Sequence, residues 1–270
     1  IDYLCNMISK SKQKYINSLQ LKKNRRQEGL FVAEGPKVVG DLMAVAQPKM
    51  VVSTNSWLAS HKKDLTPQTE IIEVNEKELS HTSFLQHPQQ VLALYPIPPQ
   101  VSSFDINYFE QHLCLALDGI QDPGNLGTII RIADWFGIET ILCSHDTVDA
   151  WSPKVVQATM GSIARVNISY VDLQQLFASL PKDFPVYGTL LDGNDIYEQP
   201  LSSNGIIVMG NEGNGISANI KQMVNRHLLI PNFPKGRATA DSLNVAIATA
   251  ITCAEFRRRD TMTNTVGNDK

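Results

Sequence analysis

Short apolar runs alternate with mixed polar segments along most of the chain, and the period of each run predicts its element. The clearest run is residues 206–209, Ile-Ile-Val-Met, which predicts a buried strand. It passes straight into Gly210-Asn211-Glu212-Gly213-Asn214-Gly215, a loop with three glycines and one carboxylate. A polar helix is expected from about Ser217, then a short strand over 227–230, then a long loop after Pro231 and a last helix that Ser242 is placed to cap and that reaches about Arg259. Upstream, 113–117 (Leu-Cys-Leu-Ala-Leu) predicts a central strand bounded by Asp118-Gly119. Pro123-Gly124 then turns the chain, Asn125 is placed to cap a helix reaching Phe136, and Gly137 is placed to end it. Further strands are expected at 139–143, 164–168 and 186–190, with helices at 154–160 and 173–180.

The first third shows the same alternation in shorter pieces. Residues 9–28 read as one helix, with Tyr15, Ile16, Leu19 and Leu21 set among lysines and Gly29 as its stop. Strands at 30–33, 50–53, 71–74 and 91–95 are interleaved with helices at 37–45, 56–61 and 76–79. Pro96-Ile97-Pro98-Pro99 with Ser102-Ser103 breaks all periodicity and marks a linker. The expected organisation is a small α/β domain over 1–95, a linker over 96–105, a second domain over 106–260 and a disordered tail over 261–270. The fold class is α/β, with a mainly parallel sheet covered by helices on both faces.

Composition narrows the function classes. Of 270 residues, 43% are hydrophobic and 19% charged, as in a folded globular protein. No apolar run approaches the roughly 20 residues of a membrane span, and no segment has the make-up of a signal peptide. The four cysteines, Cys5, Cys114, Cys143 and Cys253, include no CxxC pair and are expected as buried thiols in a reducing cytoplasm. The six histidines show no zinc-ligand spacing, so no metal is expected. Net charge is −3, yet residues 1–37 hold eight Lys and Arg against three Asp and Glu. Such a patch suits phosphates, while the acidic remainder limits non-specific attachment.

The chemistry is expected beyond the carboxyl ends of the parallel strands. Five features fall there: the 118–125 loop, 191–194, the glycine loop 210–215, the loop 231–241 and Ser242-Leu243-Asn244. Neither an ordered GxGxxG nor a GxxxxGK[ST] loop is present, which disfavours a Rossmann dinucleotide site and a P-loop.

These residues carry a resemblance. Asn125-Leu126-Gly127 with Arg131, Gly210-Asn211-Glu212-Gly213 with Gly215-Ile216-Ser217, and Ile230-Pro231 with Ser242-Leu243-Asn244 resemble, in order and spacing, the three motifs of the SpoU (TrmH-like) RNA ribose methyltransferases of the SPOUT superfamily. Leu19, Lys22-Lys23, Arg25, Gly29, Phe31, Glu34-Gly35 and Lys37 are similar to the L30e-like substrate-binding domain of that family. The resemblance implies a deep trefoil knot, a homodimer, and S-adenosylmethionine held by Leu190, Gly210, Asn211, Gly213, Gly215, Ile230 and Leu243. The implied reaction is 2′-O-methylation of a ribose in RNA, ribosomal RNA ahead of transfer RNA. Arg131 would be the activating residue, beside Asn125, Glu212, Ser242 and Asn244. Since an arginine stays protonated in proteins, its expected part is to orient the hydroxyl and a neighbouring phosphate. Lys22, Lys23, Arg25 and Arg26 are the expected phosphate contacts. The chain departs from the family in a lengthened loop over 232–241, whose Lys235 and Arg237 are further phosphate candidates. Two other readings stay open: a non-catalytic RNA-binding protein on the same scaffold, and a small-molecule α/β enzyme that uses a nucleotide.

Overall fold

The computed structural model describes residues 8–100, 104–234, 237 and 240–266. The chain divides into two compact units, one comprising Ile1–Pro99 and Asp149–Ala164, the other Gln100–Val148 and Arg165–Lys270.

In the first unit, α1 (Lys10–Ser18) and α2 (Lys22–Glu28) precede β1 (Leu30–Glu34), α3 (Pro36–Met43), β2 (Met50–Ser53), α4 (Asn55–His61), β3 (Glu70–Glu73), α5 (Glu76–Thr82) and β4 (Val91–Pro96). The helix expected over 9–28 is two helices. Leu21 is extended, and the carbonyls freed at the break are taken by side chains: Asn24 Nδ2 donates to Ser18 O at 2.9 Å, and Arg25 donates to Leu19 O and Gln20 O, each at 2.7 Å. Gly29 ends α2 in the left-handed conformation, φ 64°, which a glycine adopts without steric cost. The sheet order is β1-β4-β2-β3; β4 is antiparallel to both neighbours and β2–β3 is parallel, so this sheet is mixed. Ile16, Leu19, Val32, Val52, Leu92 and Leu94 form its core.

In the second unit α6 (Ile106–Gln111), β5 (Leu113–Asp118), α7 (Pro123–Trp135) and β6 (Thr140–Cys143) come first. The chain then passes through 149–164, which contains α8 (Pro153–Ala158), and returns as β7 (Asn167–Tyr170), α9 (Leu173–Ala178), β8 (Val186–Asp195), β9 (Gly205–Gly210), α10 (Ala218–Lys221), β10 (Arg226–Leu229) and α11 (Val245–Val266). The sheet order is β10-β8-β9-β5-β6-β7, and every pair is parallel. Strands β5 and β9 are buried along nearly their whole length, which accounts for their continuous apolar runs. Between them the winding reverses, β6 and β7 lying to one side, β8 and β10 to the other. The carboxyl ends of β5 and β9 therefore flank the switch point where such sheets bind ligands.

Three sequence expectations change. Residues 149–164, placed by the sequence boundary in the second domain, belong to the first unit. There Asp149 accepts the Arg25 guanidinium, the Trp151 ring lies 5.0 Å from Phe31, and α8 packs on β1. Arg25 is consequently withdrawn from the phosphate contacts: it is 2% exposed, and its donors are spent on two carbonyls and one carboxylate. The tail is helical as far as Val266, continuing α11 beyond the turn in which Glu255 pairs with Arg258 and Arg259; residues 267–270 lie outside the described residues.

Cys114, Cys143 and Cys253 are buried free thiols. Burial pushes Cys114 and Cys253 up to about 12 and Cys143 upward as well, so all three are protonated and inert at neutral pH. Cys5 lies outside the described residues. No described helix is long and apolar enough to cross a membrane.

Candidate functional site

The site forms at the ends of β5 and β9. Beyond Gly210 the chain closes a tight loop in which Asn211 and Gly215 exchange main-chain hydrogen bonds, each 2.9 Å. The Asn211 side chain shapes this loop from within. Its Oδ1 accepts from Gly213 N at 2.9 Å and Asn214 N at 3.0 Å, and its Nδ2 donates to Gly119 O at 2.6 Å, tying the loop to the end of β5. Asp118 adds a second tie by accepting from Ser217 N at 2.7 Å. Gly210 is required by sterics: a Cβ there would stand 2.2 Å from Gly215 C and Ile216 N.

Glu212 projects from this loop to the start of α7. Its carboxylate accepts from Gln121 N and Asp122 N, each at 3.2 Å, and from Asn125 Nδ2 at 3.0 Å. Asn125 Oδ1 accepts in turn from Asn244 Nδ2 at 2.9 Å. Because Glu212 can only accept, the amide of Asn125 must turn its nitrogen toward it, which leaves its oxygen for Asn244. Residues 125, 212 and 244 thus form one hydrogen-bonded chain that fastens three loops together.

Two capping expectations are corrected. Asp122, not Asn125, caps α7: its Oδ1 accepts from Asn125 N at 2.8 Å, and Pro123 fills the first helical position. Asn244, not Ser242, caps α11, its Oδ1 accepting from Ala246 N at 3.0 Å and Ile247 N at 3.3 Å. Asn244 therefore serves helix and site at once, one amide atom to each.

Burial disfavours the charge on Glu212, but its donors, Asn125 first and then main-chain N–H groups including those of Gln121 and Asp122, outweigh it and hold the carboxyl below the usual glutamate range. A depressed folded-state value means that the tie is fully present above the ordinary glutamate pKa of about 4.3 and is lost only as pH falls through the lower folded value. Carboxyl-carbon NMR should show Glu212 titrating below that range, with the midpoint moving up in Asn125→Ala. A midpoint at the ordinary value in both proteins would break the assignment.

Next to this chain lies a cavity of about 330 Å³. All seven residues expected to hold the cofactor line it: Leu190, Gly210, Asn211, Gly213, Gly215, Ile230 and Leu243, together with Glu212 and Ser242. Sequence reasoning missed Thr189, Met209, Leu228 and Val245, which also line it. Thr189 lies within β8, and Met209 and Leu228 near the ends of β9 and β10; their runs predict a strand but not which face meets the cavity.

Arg131 is exposed on α7 and makes no hydrogen bond or ion pair to a described residue. Gly124, Thr128, Arg131 and Trp135 follow one another at helical spacing along the outer stripe of α7. Trp135, which sequence reasoning also missed, is 84% exposed. In the basic set, Lys23 and Arg26 are exposed and Lys22 half-buried. Arg237 is exposed, its main chain held by Pro234 O and Asn232 Nδ2, and Lys235 lies outside the described residues.

The SpoU rRNA Methylase family matches residues 112–254, and the MRM3-like substrate binding domain matches residues 10–93. The 23S rRNA (guanosine(2553)-2′-O)-methyltransferase RlmP of Bacillus subtilis (strain 168) is 31% identical over 250 residues, 88% of this chain and 93% of its own length. A structure from Porphyromonas gingivalis assigned to the TrmH family is 38% identical, with TM-score 0.84, covering 94% of this chain and 99% of that one. An AdoMet-bound rRNA methyltransferase from Sinorhizobium meliloti is 30% identical, with TM-score 0.82, covering 93% and 96%. With both the strand-end site and more than half of its length matched, this chain belongs to the SpoU rRNA methylase family.

Proposed function

We propose that the protein transfers a methyl group from S-adenosylmethionine to a ribose 2′-OH of ribosomal RNA. The observation that carries this reading is the hydrogen-bonded chain of Asn125, Glu212 and Asn244 beside a cavity lined by all the expected cofactor contacts. The residues present fit the cofactor. Leu190, Met209, Ile230 and Leu243 give apolar walls for a flat purine, and the glycines of the 210–215 loop let a ligand approach the main-chain carbonyls that the loop's own hydrogen bonds leave over.

When bound, S-adenosylmethionine supplies a methyl carbon made electrophilic by its sulfonium. Since Arg131 stays protonated, the hydroxyl proton would pass to solvent, and the task left to the chain is to position the hydroxyl. The Glu212–Asn125–Asn244 chain fixes the start of α7 relative to the cavity, and thereby the helix that bears Arg131. Arg131, with no partner of its own among the described residues, directs its guanidinium donors at the ribose oxygen and an adjacent phosphate. Lys22, Lys23, Arg26, Lys235 and Arg237 are the proposed contacts to other phosphates.

The reading includes a homodimer and a trefoil knot. The exposed apolar side chains of Trp135 and Ile247, on the mutually packed helices α7 and α11, support the first. The long connection between β10 and α11 supports the second. Titration calorimetry with S-adenosylhomocysteine tests the cofactor assignment: one site per chain is expected, and absence of binding would contradict it. That outcome would favour the non-catalytic RNA-binding alternative.

A further inference from the structure

The first unit holds a cavity of about 520 Å³, larger than the one at the strand ends. It lies among the β1–α3 turn, α5 and the loop that leads into β4. Gln86, His87, Gln89 and Gln90 line it, with Ser80 and the apolar Pro36, Leu79 and Pro88. Among the described residues no lysine or arginine lines it, and Glu76 does, so its lining offers nothing that favours a phosphate. Each carboxamide offers both a donor and an acceptor. A neutral planar group with its own donors and acceptors along one edge matches this lining, and within RNA that group is a nucleobase.

The cavity is held open by its surroundings. Glu34, 5% exposed at the end of β1, accepts from the Ser83 hydroxyl and, at 3.0 Å, from Phe84 N. This pins the beginning of the loop beside Gly35-Pro36. At the other end Thr54 N donates to Gln90 O at 2.8 Å and Gly35 N to Val91 O at 2.9 Å. Between these ties Gln90 is kept in the left-handed region, φ 52°, which a non-glycine residue seldom adopts. Glu34 and Gly35, singled out in the sequence as part of the N-terminal pattern, thus have a positioning role in fixing the cavity rim.

We propose that this cavity accepts one unstacked base of the RNA and reads its hydrogen-bonding edge through Gln86, Gln89 and Gln90. This rests on the RNA methyltransferase reading above. Sequence-selective proteins read RNA largely through bases splayed out of single-stranded segments, and the cavity lies within the size range of small-molecule sites.

The test uses the full chain, at one fixed salt concentration, with fluorescently labelled single-stranded oligomers of rA, rC, rG and rU and an abasic ribose-phosphate oligomer of equal length. Wild type should bind one base series about tenfold or more tightly than the abasic oligomer. The double variant Gln86→Ala/Gln89→Ala should lose that preference, His87→Ala should reduce it, and abasic binding should stay within about twofold. These side chains are exposed, so folding should be retained, as a thermal unfolding curve will confirm. No preference for any base series in wild type, a preference kept in the double variant, or an equal loss of abasic binding would each overturn the proposal. S-adenosylhomocysteine binding measured on the same samples separates the two readings. Cofactor binding intact with base preference absent refutes the cavity alone; base preference present with no cofactor bound refutes methyl transfer alone.

Discussion

Arg131→Ala should lower methyl transfer about 10²–10³-fold, the range found when one positioned donor is removed from a reaction centre, while affinity for S-adenosylhomocysteine stays within about twofold. The expectation follows from where Arg131 sits. It is exposed, has no partner among the described residues, and does not line the 330 Å³ cavity. Its removal therefore costs the fold little and leaves the cofactor walls intact. The loss should fall on kcat rather than on cofactor binding, because the guanidinium acts on the hydroxyl as charge develops there. Arg131→Lys keeps the charge but loses the planar fork, so it should recover only part of the activity. Single-turnover transfer on ribosomal RNA, together with calorimetry, checks both halves. Full activity in Arg131→Ala would remove the residue from the mechanism.

Gly210→Ala should abolish most cofactor binding through geometry alone. The added Cβ would meet the backbone of Gly215 and Ile216 at 2.2 Å, well inside any tolerated contact. Neither neighbour can withdraw cheaply, because Asn211 and Gly215 are hydrogen-bonded to each other and Asp118 holds Ser217 N. Forcing a methyl into such a site typically costs about 1–3 kcal/mol, which is roughly 5- to 150-fold if the loss falls on binding. S-adenosylhomocysteine affinity should drop within that range and the melting temperature should fall with it. Gly213→Ala is the steric control: its Cβ would meet nothing closer than Asn211 Oδ1 at 3.6 Å, so its melting temperature should be unchanged. Equal behaviour of the two variants would show that crowding at Gly210 does not shape the loop.

The sequence showed more about the second unit than about the first. Continuous apolar runs at β5 and β9 can only be satisfied by burial on both faces, so a parallel sheet with its chemistry at the carboxyl ends followed directly. The capping errors had a local cause. Asp122 and Asn125 are both good caps three residues apart, and Pro123-Gly124 has the local signature of a turn, whereas Pro123 at the first helical position decides for Asp122. Ser242 and Asn244 posed the same ambiguity, resolved because Asn244 also answers Asn125 across the site. Arg25 was beyond local reading. A basic residue in a lysine-rich stretch reads as solvated, and its partner Asp149 lies 124 residues away. The transfer of 149–164 to the first unit was hidden for the same reason, since a contact between Phe31 and Trp151 leaves no periodic trace. The cavity lined by Gln86, Gln89 and Gln90 was equally invisible, because exposed glutamines before a strand carry no pattern.

The central claim is ribose methylation of RNA, and site mapping tests it most directly. Unmodified ribosomal RNA incubated with the protein and S-adenosylmethionine should acquire a methyl group at a defined ribose 2′ oxygen, seen by mass spectrometry of nuclease fragments, and Arg131→Ala should modify that nucleotide about 10²–10³-fold more slowly. Methylation on a base, or no methylation of RNA by protein that binds S-adenosylhomocysteine, would contradict the account.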